Sequence, residues 1–475
     1  MRGVGLVVIG LTAIFSLSVL AEVRPAAVAG SYYPGDKPQL EYQLNRFLLN
    51  APSNLVKGDV IALIVPHAGY PYSGQAAAYG YKQLLGKKFD TVILIGASHK
   101  MGFDQIALPD YEFYETPLGK VPVDKEFISK LKKLSDRVIV DNKPHREEHS
   151  LEAQLPFLQT VLKDGFKIVP ILFGGISLSN CQTLSYALSF LIEDNTLIIA
   201  SSDWSHYYPY DLASKMDSKG TTLAVNGDIE GFIKALANGE TEACGAPAII
   251  TTMLIAPALG ANKVELLKYA NSGDVTDDRS KVVGYASIVF YNQELKLSGS
   301  DKKELLRIAR KTIDAKIRNW KLPDFNVDEG AMTAKRGVFV SLSKAGKLRG
   351  CIGYIQPVKP LFLAVQDMAI EAAANDPRFK PVTKAEFKDI DLEISALSRL
   401  KKIKDVSDIS VGRDGLYIIK GGQSGLLLPQ VAVEWGWNRD EFLRQVCIKA
   451  GLPEDAWREK DAVLYRFCAD VFREE

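Results

Sequence analysis

The sequence predicts a chain of the α/β class, in which a three-layer α/β/α domain precedes a smaller α+β domain. Two observations lead to this prediction. Between about residues 60 and 290, short apolar runs alternate with amphipathic stretches. After a polar Ser-Gly-Ser segment at about 296–301, the pattern changes to hairpins and helices. A chain of 475 residues is also too long for one ordinary core, so two or three domains are expected.

Six apolar runs of the first domain are predicted to be strands. They are rich in β-branched residues and leucine, which is typical of strands that helices cover on both faces. The runs are DVIALIVPHAGY, FDTVILIGASHK, GFKIVPILFGG, NTLIIASSDWSHY, VELLKYANSGD and KVVGYASIVFY. Between them, residues 151–162 carry leucines on one face and predict a helix that Pro156 kinks or restarts. The pattern favours a central sheet that is largely parallel or mixed.

The second domain, residues 296–475, mixes hairpins and helices in another order. GVFVSLS and LRGCIGYI flank the turn KAGK and predict a hairpin, and a Gly-rich connection joins LYIIK to LLLP. Helices are predicted for PLFLAVQDMAIEAAAND and NRDEFLRQVCIKAG, and a strand is predicted for IDLEISALS. This order indicates an α+β domain.

The first 21 residues differ from the rest of the chain. Arg2 is followed by nineteen uncharged, mostly apolar residues that end in Val-Leu-Ala, the small-residue spacing of a signal-peptidase site. We therefore predict a cleavable signal at residues 1–21, a first domain at 22–295, and export to the periplasm or the extracellular space. The alternative is a membrane anchor at residues 3–21, because about 18 apolar residues can span a bilayer.

Composition excludes several classes of function. The chain has 58 basic and 57 acidic residues, a formal net charge of +1 and no basic stripe, so no nucleic-acid partner is expected. It has no CxxC, no Walker loop and no GxGxxG after a strand. Its five cysteines are odd in number and widely spaced, which does not indicate a disulfide framework.

All five histidines lie in the first domain, and three of them directly follow apolar runs. These three are His67, His99 and His206. In open α/β sheets, functional sites gather at the carboxyl ends of strands, where the three imidazoles could converge. A Ser-His-Asp site would need a GxSxG elbow, which the sequence lacks. Two or three imidazoles with an anionic residue suit a divalent transition metal, and two histidines with one anion is the arrangement of non-haem Fe(II).

Several residues near these histidines could supply the anion. Asp203, Cys244, Glu148 and Glu152 are the candidates, and a carboxylate could equally orient a ligating histidine. His149 either is an ordinary histidine at the start of a helix or serves as a proton shuttle or substrate contact beside the metal.

Longer motifs resemble two known families. Residues 24–292 resemble the Memo family through RPAAVAGSYYP, PHAGYPYSG, ILIGASH, EFYETPLGKVPVD, EEHSLEAQLPF, SSDWSHY, ACGAPAI and GYASIVF. Residues 301–472 resemble the AMMECR-type domain through GVFVSLSKAGKLRGCIGYI, NDPRFKPV, GGQSGLLLPQVA and WGWNRDEFLRQVCIKAGLP. Together they are similar to proteins of the AmmeMemoRadiSam system, whose name implies a separate radical-SAM protein as a partner.

The resemblance implies a fold, a metal and a set of ligands. Memo domains share the fold of class III extradiol dioxygenases, which hold Fe(II) with two histidines and a glutamate. The Memo pattern falls on His67, His99 and Cys244 as metal ligands, with Asp203 and His206 in the same pocket. A thiolate in place of the carboxylate favours iron or copper and argues against simple ring cleavage.

Two functional hypotheses follow from these residues. The first is a metal-dependent oxidoreductase, with His206, Asp203 and His149 as catalytic groups. The second is a catalytically inactive protein that keeps the fold and binds a peptide or an anion. In the second domain, LRGCIG is either a tightly packed hairpin strand or part of a site. That candidate site comprises Arg349, Cys351, Asn375, Asp376 and Arg378.

Overall fold

The fold is described from a computed structural model, which covers residues 22–193, 195–293, 295–328, 330–403 and 405–474. The predicted signal or anchor at residues 1–21 lies outside this part of the chain. The chain divides into two compact units, Met1–Gln293 and Glu294–Glu475. Across the described residues, no helix combines the length and the hydropathy that a bilayer crossing requires.

The described part of the first unit alternates strands with helices along most of its length. Its strands are β1 (Val23–Arg24), β2 (Asp59–Val65), β3 (Thr91–Ala97), β4 (Ile106–Leu108), β5 (Phe113–Thr116), β6 (Gly119–Pro122), β7 (Val138–Val140), β8 (Lys167–Phe173), β9 (Thr196–Ser201), β10 (His206–Tyr208), β11 (Lys263–Asn271) and β12 (Val282–Asn292). Its helices are α1 (Lys37–Asn50), α2 (Tyr70–Lys82), α3 (Lys125–Leu134), α4 (Lys143–Arg146), α5 (Leu155–Val161), α6 (Leu178–Leu191), α7 (Tyr210–Val225), α8 (Ile229–Ala237), α9 (Ala246–Ala258) and α10 (Gly273–Thr276).

One large mixed sheet forms the centre of this unit. Its order is β10-β12-β2-β9-β3-β8-β4-β7, and β11 also pairs with β12. Strands β2, β9, β3 and β8 run parallel, whereas β12 and β4 flank them in the antiparallel direction. The α/β class and all six predicted strands of the first domain are therefore confirmed.

The apolar runs form strands because both faces of the sheet are covered. In β2, every residue from Val60 to Val65 is buried, and β8 and β9 show the same unbroken burial. Helices α2 and α9 both pack on β2. The predicted helix at 151–162 begins as a 3₁₀ turn and becomes α-helical at Leu155, directly before Pro156. This agrees with the position of proline in the first turn of a helix.

The sheet order explains how distant residues meet. Strand β9 lies between β2 and β3, and the three strands are parallel. Their carboxyl ends therefore share one edge, and the segments that follow them carry His67, His99 and residues 202–206 to that edge.

The second unit is an α+β domain, as predicted. Its strands are β13 (Val338–Lys344), β14 (Lys347–Tyr354), β15 (Ile390–Leu397), β16 (Lys401–Lys402), β17 (Gly415–Lys420), β18 (Gln423–Leu427), β19 (Val463–Phe467) and β20 (Ala469–Arg473). Its helices are α11 (Gly299–Ile317), α12 (Leu361–Ile370), α13 (Pro429–Glu434) and α14 (Arg439–Lys449). The strands form two antiparallel sheets, β14-β13-β15-β20 and β16-β19-β17-β18. The predicted hairpin is β13–β14, and its turn residues Ala345 and Gly346 both have positive φ.

Candidate functional site

His67 is the most enclosed of the histidines at the sheet edge. It follows Pro66 after β2, and its side chain is 2% exposed. Its Nδ1 lies 2.8 Å from Ser201 Oγ, and its main-chain N–H donates to Asp203 Oδ1 at 2.8 Å. Burial, together with the charges of neighbouring histidines, lowers the pKa of His67 well below its usual value. The imidazole is therefore neutral at physiological pH, which is the form that binds a metal.

His99 is held by a buried carboxylate. Its Nδ1 lies 2.8 Å from Glu148 Oε1, and its main-chain N–H donates to Glu148 Oε2 at 2.6 Å. Burial alone would raise the pKa of Glu148, but the hydrogen bond and charge of His99 outweigh it and lower that pKa to about 2. An ionised Glu148 accepts a hydrogen bond from Nδ1, so Nε2 of His99 remains free as a ligand.

His149 completes a group of three imidazoles. Its ring centroid lies 4.5 Å from that of His99 and 5.3 Å from that of His67, and the latter two are 5.0 Å apart. One ring nitrogen from each histidine lies within 4.8 Å of the others. We call these three residues the histidine cluster. Burial lowers the pKa of His149 to about 4, so this imidazole is also neutral.

Cys244 lies beside the histidine cluster, on the His67 side. Its Sγ is 3.2 Å from His67 Nε2 and accepts the main-chain N–H of Asp203 at 3.3 Å. The absence of a side chain at Gly245 lets the main chain after Cys244 pass close to the end of β9, because a Cβ there would lie 2.2 Å from the carbonyl oxygen of Ser201. Burial and the charge of Asp203 raise the pKa of Cys244 well above its usual value, which keeps the metal-free thiol protonated.

Asp203 is buried beside His67, whereas His206 is partly exposed. Asp203 is buried and directs Oδ2 to within 3.9 Å of His67 Nε2. Burial raises the pKa of Asp203 to about 6, against the main-chain hydrogen bonds it accepts. His206 lies at the start of β10, where its Nδ1 is 2.9 Å from Glu242 Oε1 and its side chain is 26% exposed. It is not a member of the histidine cluster.

A buried ion pair supports the segment that carries Glu148 and His149. Arg24 Nη1 donates to Glu152 Oε2 at 2.6 Å, and both side chains are fully buried. Arg24 also donates to the carbonyl oxygens of His145 and Glu148, each through a separate nitrogen. His145 is itself buried, with Nε2 3.1 Å from the carbonyl oxygen of Ala107.

Comparison with known proteins identifies both parts of the chain. The family model of the Memo-like protein matches residues 24–289, which is more than half of the chain. The chain belongs to the Memo family. The AMMECR1 family model matches residues 306–472, so the two domains follow one another in a single chain, as their motifs predict.

Two curated relatives and one solved structure are similar to parts of this chain. A MEMO1 family protein of Nitrosopumilus maritimus is 37% identical over 274 residues, which cover 56% of this chain and 99% of that protein. A protein of Methanothermobacter thermautotrophicus is 46% identical over 188 residues, covering 38% of this chain and 97% of its own length. The crystal structure of an uncharacterized protein of Pyrococcus horikoshii is 42% identical, covers 37% of this chain and 91% of that chain, and has a TM-score of 0.35.

Within the Memo domain, the structure brings most predicted site residues together. His67 and His99 meet with His149, Cys244 contacts His67, and Asp203 lies beside both. Sequence reasoning assigned His149 to catalysis, whereas its position also qualifies it as a ligand. Reasoning from sequence did not find Ser201 or Arg24, because neither lies in a pattern of metal-ligating residues.

Within the AMMECR1 domain, Arg349 and Asn375 of the predicted candidate site form hydrogen bonds inside the domain. Arg349 Nη2 donates to Glu386 Oε1 at 2.9 Å and to the carbonyl oxygen of Pro381 at 3.4 Å. Asn375 donates to Glu371 at 3.0 Å. These contacts give Arg349 and Asn375 partners within the domain, on segments that adjoin β14.

Asp376 links the other two predicted residues of this domain. It accepts the main-chain N–H of Cys351 at 2.8 Å and two side-chain hydrogen bonds from Arg378. Arg378 also donates to the carbonyl oxygen of Cys351 at 2.9 Å, and Ser341 Oγ donates to Cys351 Sγ at 3.2 Å. The Arg378 guanidinium holds the pKa of Asp376 below its usual range. This network ties the NDPRF segment to β14.

Proposed function

We propose that the Memo domain is a metal-dependent redox enzyme that uses Fe(II), with copper as the second candidate metal. The observation that carries the proposal is the histidine cluster, whose ligand atoms lie within 4.8 Å of one another at the carboxyl edge of the sheet. Imidazole is a ligand for iron, copper, zinc and nickel, and the thiol of Cys244 beside the cluster suits iron and copper as well as zinc.

The side chains present fit a divalent metal. His67 and His99 each have Nδ1 engaged by a neighbour, which leaves Nε2 of each imidazole as the ligand atom. The third ligand is either His149, from its place in the histidine cluster, or Cys244, whose Sγ is 3.2 Å from His67 Nε2. When bound, Fe(II) would supply one-electron chemistry and a means of using dioxygen that side chains lack.

The remaining groups suit proton handling beside the metal. The Asp203 carboxyl lies 3.9 Å from His67 Nε2 and can accept or return a proton at Oδ2. The imidazole of His206, paired with Glu242 and partly exposed, connects this region with solvent. We propose that these two residues exchange protons with the substrate.

Metal uptake tests the proposal. Metal-free protein is equilibrated anaerobically with Fe(II) or Cu(I), and bound metal is measured by mass spectrometry. The wild type should bind about one metal per chain, and His99→Ala should lose it. His206→Ala is the matched control, because it removes a histidine outside the histidine cluster and should retain the metal.

Two further variants identify the third ligand. If His149 is the ligand, His149→Ala loses the metal and Cys244→Ser retains it, and the opposite result assigns Cys244. A folded wild type that takes up neither metal refutes the enzyme and leaves the alternative, a protein that binds a peptide or an anion on a dioxygenase-like fold.

We also propose a cellular context for this chain. The presence of Memo and AMMECR1 domains in one chain supports the proposal that a separate radical-SAM protein acts with it. Co-purification of the two proteins from the native host tests that partner. Residues 1–21 are proposed to direct export, which N-terminal sequencing of the mature protein tests.

A further inference from the structure

The hydroxyl of Ser201 is a buried junction of three hydrogen bonds at the end of β9. Its Oγ lies 2.6 Å from the carbonyl oxygen of Ser150, 2.7 Å from Gln154 Nε2 and 2.8 Å from His67 Nδ1. Ser201, Ser150 and Gln154 are each fully buried, so no solvent competes for these bonds.

The chemistry of the neighbours determines the direction of each bond. A carbonyl oxygen can only accept, so the single hydroxyl proton of Ser201 is directed to Ser150. An amide nitrogen can only donate, so Gln154 donates to Ser201 Oγ. No hydroxyl proton then remains for His67, and Nδ1 of His67 must itself carry the proton and donate it to Ser201.

The orientation of the Gln154 amide is fixed independently of Ser201. Its Nε2 also lies 3.0 Å from the carbonyl oxygen of Pro66, and its Oε1 accepts the hydroxyl of Tyr81 at 2.7 Å. A flipped amide would place two oxygens in contact at Pro66, which is unfavourable. The donor role of Gln154 therefore follows from its surroundings.

We propose that Ser201 and Gln154 are positioning residues that fix His67 as the Nδ1-protonated tautomer. The Nε2 of His67 then carries a lone pair before any metal arrives, and the thiol of Cys244, at 3.2 Å, is placed to donate to it. The role of this lone pair as a ligand rests on the proposed function, whereas the tautomer itself belongs to the metal-free protein. Loss of the hydroxyl frees His67 to protonate Nε2 instead.

The tautomer is measured directly in metal-free protein. Long-range ¹H–¹⁵N correlation spectra of the histidine-labelled chain distinguish protonation at Nδ1 from protonation at Nε2, and His67→Gln assigns the signal. The wild type should show His67 protonated at Nδ1. Protonation at Nε2 overturns the inference, whatever metal the protein binds, and this measurement does not depend on any variant at Ser201 folding.

A variant of Ser201 distinguishes a positioning role from a merely structural one. Ser201→Ala should lose the Nδ1-protonated signal and weaken metal affinity about 10–100-fold, the range found for partners of ligating histidines. Ser287→Ala is the matched control, because Ser287 is a buried serine that donates to the carbonyl oxygen of Ala76 away from the histidines. Ser287→Ala should leave the tautomer of His67 and the metal affinity unchanged. An unchanged tautomer in folded Ser201→Ala overturns the inference.

Discussion

The ion pair between Arg24 and Glu152 gives the most sharply defined stability prediction. The Arg24 guanidinium donates to Glu152 and to the carbonyl oxygens of His145 and Glu148. Glu152 in turn accepts three further hydrogen bonds, which come from two main-chain amides and the Tyr33 hydroxyl. Replacement of Arg24 by methionine removes the cation and leaves a buried carboxylate without its counter-charge.

The cost follows from the burial of both partners. Removing one member of a buried ion pair costs about 3–5 kcal/mol, because the charge left behind is uncompensated. In domains of about 250 residues, each kcal/mol shifts Tm by about 2 °C, so Arg24→Met should lower the Tm of the Memo domain by about 6–10 °C. The double variant Arg24→Met/Glu152→Gln, which removes both charges, should recover part of this loss.

Scanning calorimetry of the full chain measures this effect. The transition of the AMMECR1 domain serves as an internal reference. Lys37→Met is the matched control, since Lys37 forms an ion pair with Glu41 in which both side chains are about half exposed. We expect no measurable shift for this control. A fall in the Tm of the Memo domain of less than about 2 °C in Arg24→Met would refute the reasoning. The remaining hydrogen bonds to Glu152 would then compensate its buried charge without Arg24.

Three further predictions concern single groups. Glu148→Gln should weaken metal affinity about 10–100-fold, measured by competition with a chelator, because a neutral amide orients His99 less strongly; unchanged affinity would contradict it. Burial lowers the pKa of His145 to about 3, so the folded state disfavours protonation of this imidazole. The contribution of neutral His145 to the free energy of unfolding should therefore be complete above about pH 6.5 and fall as the pH drops toward 3. Urea unfolding of His145→Gln should show a shallower dependence on pH, by up to about 1.4 kcal/mol per pH unit, and an equal slope would contradict it. Arg378→Met should lower the Tm of the AMMECR1 domain by removing the partner of Asp376, and calorimetry with Lys380→Met as control checks this.

The central sheet could be predicted because its signal is local. Each of the strands β2, β3, β8 and β9 is an unbroken apolar run, and burial on both faces requires that composition. The positions of His67 and His99 followed from the same runs, since each residue lies two positions beyond a strand end. The strand order β2-β9-β3, which brings the ends together, depends on long-range pairing.

The third imidazole and its supports could not be predicted in the same way. His149 lies on an irregular segment between α4 and α5, and its distance from His99 depends on how Glu148 and Arg24 hold that segment. Ser201 reads as the last residue of an apolar strand, and nothing local distinguishes a serine that caps a strand from one that fixes a tautomer. Similarly, the partner of Arg349 is Glu386, which lies 37 residues further along the chain.

The location of a bound metal tests the account most directly. Crystals of the protein grown without oxygen and soaked in Fe(II) would be measured on both sides of the iron absorption edge. We predict one anomalous peak within about 2.0–2.3 Å of a ring nitrogen of both His67 and His99, close to the usual metal–imidazole distance. A peak elsewhere, or no peak at this edge of the sheet, would contradict the proposal that the histidine cluster binds a metal.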